Sequence, residues 1–143
     1  VAFALAVVNF GLIYALPVRL GELTSWTPAR IGLAMVWPLL FGGALSWFVV
    51  AASARLRPAT VTLALMVTSG LAVPVAALAA WPALLLAAQA AASIAAASGQ
   101  GVLAGRAVAA APESRRPVAI GLFNLCYLLG TAFGPVVMGL LVQ

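Results

Sequence analysis

The chain has no histidine, lysine or aspartate, and charged residues make up only 6% of its 143 positions. Its two acids, Glu22 and Glu113, are far apart in sequence, so no paired carboxylates are offered for acid–base work. With no His to act as base or ligand, neither catalysis nor a metal site is expected, and no ATP-binding loop is present. Cys126 is alone, which excludes a disulfide or thiolate cluster within the chain, and it reads as a small packing residue. The net charge of +5 comes from Arg residues scattered over connections rather than massed on a face, so no nucleic-acid partner and no cofactor are expected.

What is present is apolar: 66% of the residues are hydrophobic, arranged in five long runs. About 20 apolar residues in a helix cross roughly 30 Å of hydrocarbon, so the lipid bilayer is the expected solvent. The fold class is an all-α polytopic membrane protein with spans at about 1–16, 28–54, 58–79, 82–109 and 117–142 and no soluble domain. Pro28, Pro58, Pro82 and Pro117 stand where runs begin, at the first helical turn, where a missing N–H costs nothing. Thr27 adds a side-chain N-cap. Pro38, Pro74 and Pro135 fall inside spans and are expected to bend them. The first run lacks Met, a basic leader and a cleavage site, and stops short of a full span before Pro17, so the chain is expected to be part of a longer protein.

Arginines in short loops mark the cytoplasmic side. Arg55, Arg57, Arg106, Arg115 and Arg116, with Glu113, collect on one side, against Arg19 and Arg30 on the other. The 110–116 loop is therefore expected to be cytoplasmic, with Trp26 and Trp81 at the outer interface and Trp37 and Trp47 packed in the core.

Polar side chains within spans are costly and tend to face a partner or a cavity. At 100° per residue, Gln89, Ser93 and Gln100 form one narrow stripe on the fourth helix, and Asn124, Tyr127 and Thr131 fall within about 60° on the fifth. Asn9 and Tyr14 are their counterparts on the first. Two readings stand open: these side chains line an aqueous path and offer neutral hydrogen bonds to a solute, or they join helices at roughly 0.6 kcal/mol per bond. Thr60, Thr62, Thr68 and Ser69 can bond to their own backbone. Gly99, Gly101 and Gly105 smooth one side of the fourth helix, and Gly130 and Gly134, followed by Pro135, are spaced for close helix packing or a hinge.

Three segments resemble the C-terminal half of major facilitator superfamily transporters. Residues 14–34, YALPVRLGELTSWTPARIGLA, look like the seventh helix, an external loop and the start of the eighth. GGALSWFVVAASARLRP resembles the end of the eighth helix and its basic loop. PESRRPVAIGLFNLCYLLGTAFGPVVMGLL is similar to the loop between helices ten and eleven with the Gly121, Asn124, Gly130, Gly134-Pro135 and Gly139 series after it. The loop after the second helix departs from the family's charged pattern, keeping only Arg55 and Arg57. The resemblance implies helices seven to eleven of a twelve-helix major-facilitator-type bundle in the plasma (inner) membrane, partnered by the missing N-terminal half of the same protein.

That fold implies secondary transport by rocking of two halves around a midplane site. The neutral candidates suit efflux of a small amphipathic or lipophilic solute. No carboxylate lies inside a span, so a coupling acid for an antiporter must come from the other half, or the carrier is a uniporter. The alternatives are a non-transporting structural or sensor membrane protein and a metabolite or sugar carrier of the same fold.

Overall fold

The computed structural model describes residues 1–141. Five helices follow one another: α1 (Ala2–Leu23), α2 (Pro28–Ser53), α3 (Pro58–Leu78), α4 (Pro82–Ala110) and α5 (Arg116–Leu141), with a single 3₁₀ turn at Glu113–Arg115. No strand occurs among the described residues, and all five helices are long and apolar enough to cross a membrane. The expected end of the fifth span, at 142, lies outside the described residues.

Pro28, Pro58 and Pro82 each open their helix, and Pro117 is the second residue of α5. Thr27 caps α2 by accepting from the Arg30 N–H, at a long 3.4 Å. Helices α2, α3 and α5 run on through Pro38, Pro74 and Pro135.

Helix α1 corrects the expectation that the first span ends at 16. It continues through Pro17 to Leu23. Proline removes one backbone bond, whereas the extension places Leu20 one turn beyond Leu16 in a cluster with Ile31, Met35 and Leu85. In lipid the return for that extension is close packing of Leu20 against its neighbours rather than escape from water. The end is closed by Thr24, whose hydroxyl donates to the Leu20 carbonyl at 2.7 Å and accepts from the Trp26 N–H at 3.3 Å.

Helices α1 and α4 each contact all four others, and α1 lies most extensively along α5. Small residues make this possible, because apolar helices gain little from leaving lipid and associate by close packing. Ala88, Ala92, Ala95 and Ala96 line the buried side of α4, and Gly99 receives Leu5. On α5, Gly130 rests on Phe3 and Ala6, and Gly134 on Val7 and Gly11, one helical turn apart.

Two packing expectations are overturned. Trp37 and Trp47 are 58% and 79% exposed, because α2 buries the stripe Ile31, Met35, Pro38 and Gly42 and both indoles point well away from it. Cys126, read as a packing residue, is exposed as well.

Candidate functional site

Where α1 crosses α4, three polar side chains meet. The Gln89 amide donates from Nε2 to Asn9 Oδ1 and to Ser93 Oγ, and the Ser93 hydroxyl donates to Asn9 Oδ1, all at 3.0 Å. Gln89 and Ser93 are one turn apart on α4, so the spacing that makes a polar stripe also lets both reach a single acceptor. All three residues are buried, Gln89 completely. Helix α2 closes the third side through Gly42, whose missing side chain leaves room for Ser93: a Cβ there would stand 2.5 Å from Ser93 Cβ.

The arrangement saturates Asn9 Oδ1 and both Gln89 N–H donors, but leaves Gln89 Oε1 buried without a partner. An unmet buried acceptor costs about 1–3 kcal/mol, so the cluster is held by packing around it rather than by a complete set of bonds.

Gln100 shares the stripe yet is exposed. Gln89 takes its partner from α1, and ten residues on it is Gly99 that receives Leu5 of the same helix. Those two α4 positions differ by about 80° around the axis, so α1 slants across α4 and uncovers the line on which Gln100 lies. Gly99 meets α1 and Gly101 meets Val50 of α2, and the Gln100 side chain emerges between them.

The remaining candidates sit apart from the buried trio. Tyr14 is half exposed, with its ring 3.8 Å from where a Cβ on Gly139 would stand. Asn124 is exposed; Tyr127 is half-buried and stacks on Phe123, ring centroids 6.4 Å apart. The Thr131 hydroxyl donates to its own helix at the Leu128 carbonyl, 2.7 Å away. Pro135 is half-buried within α5, and Gly105 has nothing within 4 Å of a built Cβ.

Of the loop charges, Arg55, Arg57 and Arg115 are exposed, and Arg116 lies 3.7 Å from Glu113. Arg106 does more than mark a loop: from inside α4 its Nη1 donates to the Pro58 carbonyl at 2.9 Å and to Thr62 Oγ1 at 2.7 Å, tying the end of α4 to the start of α3. Thr62 also donates to the Pro58 carbonyl, as its spacing suggested, whereas Ser69 Oγ is buried without a partner.

Sequence reasoning missed Gly42 and Gly11, both at close helix contacts. Gly42 sits four residues after Pro38 and seven after Met35, a spacing that could have marked it. It also missed an apolar cavity of about 280 Å³ between α1, α3, α4 and α5, walled by Leu12, Leu16, Val73, Ala76, Leu85 and Met138 and lined as well by Arg19 and Glu22. That pair is bonded to itself at 2.8 Å, so the cavity offers apolar surface rather than free hydrogen-bonding groups.

One family description, the Major Facilitator Superfamily, matches residues 1–143. No curated protein matches the chain, and no solved structure does.

Proposed function

Because the chain belongs to the major facilitator superfamily, a family of transporters, we propose that it forms the C-terminal half-bundle of a secondary carrier that moves small amphipathic or lipophilic solutes outward by alternating access. In this reading its helices are the seventh to the eleventh, and a second half-bundle completes the path. The carrying observation is Gln100, a neutral amide left open between α1 and α2.

Solute contact falls to Gln100, Tyr14, Asn124, Tyr127 and Thr131. Neutral hydrogen-bonding groups on apolar walls orient a weakly polar molecule without demanding a charge on it. Asn9, Gln89 and Ser93 act differently. They are already enclosed within five helices, and adding further helices can only bury them more, so they hold α1 at a set angle on α4 and thereby keep Gln100 uncovered. Backbone-to-backbone contacts at Gly130 and Gly134 allow α5 to shift along α1 without unlocking large side chains.

The test is flux by the full-length carrier in proteoliposomes, using lipophilic cations, sugars and amino acids, with and without a proton gradient. Movement of the lipophilic cations, reduced by Gln100→Ala, is the expected result. Movement of sugars or amino acids instead would replace the solute class, and no flux from folded protein would move the reading to a structural or sensor role.

A further inference from the structure

We propose that the end of the bundle where α4 finishes and α3 begins binds the phosphate of an anionic phospholipid through Arg106 and Arg57. The site is independent of the solute path. Arg106 is half-buried between the two helices, and its bonds go to neutral oxygens, the Pro58 carbonyl and Thr62 Oγ1. Both carboxylates of the chain are engaged elsewhere, Glu22 with Arg19 and Glu113 with Arg116. Arg106 therefore keeps its full charge beside Arg57, the residue that precedes Pro58, with exposed Arg55 two positions earlier.

Three cations gathered at one end of two helices repel one another, and an anion brought among them relieves that repulsion. A guanidinium has five donors and matches phosphate oxygens in pairs; Nη1 of Arg106 is the atom that makes both of its bonds among the described residues, which leaves the rest of the fork for a ligand.

The surroundings favour a lipid over a free anion. Leu56, in the loop, is 54% exposed, and Leu63 and Met66, the latter one turn beyond Thr62, present open apolar surface on the membrane-spanning part of α3. A headgroup at Arg106 and Arg57 would lay its acyl chains along that surface. Basic side chains at the ends of membrane helices attract anionic headgroups, whereas phosphatidylcholine, whose phosphate is balanced by its own quaternary ammonium, brings no net negative charge to a site with three cations.

Native mass spectrometry of the full-length carrier, titrated with phosphatidylglycerol or phosphatidylcholine, reads the proposal directly. Phosphatidylglycerol should be retained in preference, Arg106→Gln and Arg57→Gln should each weaken that retention roughly tenfold, and Arg19→Gln, a paired residue, should not. Millimolar inorganic phosphate should fail to displace the lipid. Equal retention of the two lipids, unchanged preference in both variants, or displacement by inorganic phosphate would overturn the proposal. Should Arg106→Gln lose its helical signal, Arg57→Gln, at an exposed position, decides alone: loss of the preference supports the site and its persistence refutes it.

Discussion

A methyl group placed on Gly134 would stand 2.7 Å from the backbone nitrogen of Gly11, so α5 and α1 meet there main chain to main chain. The Val7 carbonyl, 2.6 Å from the same point, closes the other side. Backbone atoms cannot rotate away, and Gly134→Ala must push the helices apart. The expected loss is about 1–3 kcal/mol of stability, reduced by the better helix propensity of alanine. Gly105→Ala, with open space around it, should cost nothing. Denaturant unfolding followed by circular dichroism separates the two.

The trio at the α1–α4 crossing should behave as one unit. Asn9→Ala removes the acceptor for both Gln89 Nε2 and the Ser93 hydroxyl, so adding Gln89→Ala afterwards should cost less than it does alone. A double-mutant cycle is expected to give a coupling of about 0.6–1.7 kcal/mol, the span seen for hydrogen bonds between membrane helices. Additive losses would mean that the bonds contribute nothing beyond packing.

Gly42→Ala tests the third side of the same crossing. Its Cβ would meet Ser93 Cβ at 2.5 Å and the Ser93 carbonyl carbon at 3.1 Å, which forces α2 off α4. A loss of about 1–3 kcal/mol is expected. Shortening the obstacle with Ser93→Gly should restore part of it, and no recovery in unfolding experiments would place the strain elsewhere.

How far the sequence revealed this arrangement depends on which residues carried the signal. Helix starts were legible because Pro28, Pro58 and Pro82 act locally, through a missing N–H at a position that needs none. The end of α1 was not, since beyond Pro17 the helix packs Leu20 in a cluster with Ile31 and Met35, residues of another helix that the local sequence around Pro17 does not reveal. The stripe of Gln89, Ser93 and Gln100 could be read from 100° steps along α4. Its division into two enclosed residues and one open residue could not, because that division follows from the slant of α1, and periodicity within one helix carries no information about a neighbour's crossing angle.

Gln100→Ala and Asn124→Ala should separate function from folding. Both side chains are exposed, so each substitution is expected to change stability by less than about 0.5 kcal/mol. Flux of the transported solute by the full-length carrier should nevertheless fall several-fold. Intact flux together with unchanged stability would remove them from the solute path.

The pairing of α1 with α5 joins two helices that are far apart in the chain, with the whole of α2, α3 and α4 made in between. At roughly 5–20 residues per second, the ribosome needs about 5–20 s to pass from the end of α1 to the start of α5. Throughout that interval α1 sits in the insertion machinery or the lipid without the helix that its longest contact face will meet, and Asn9 has no Gln89 until α4 is made. Assembly of this bundle is therefore a problem of waiting as much as of packing, and whatever shelters that face of α1 during synthesis acts before α5 is there to cover it.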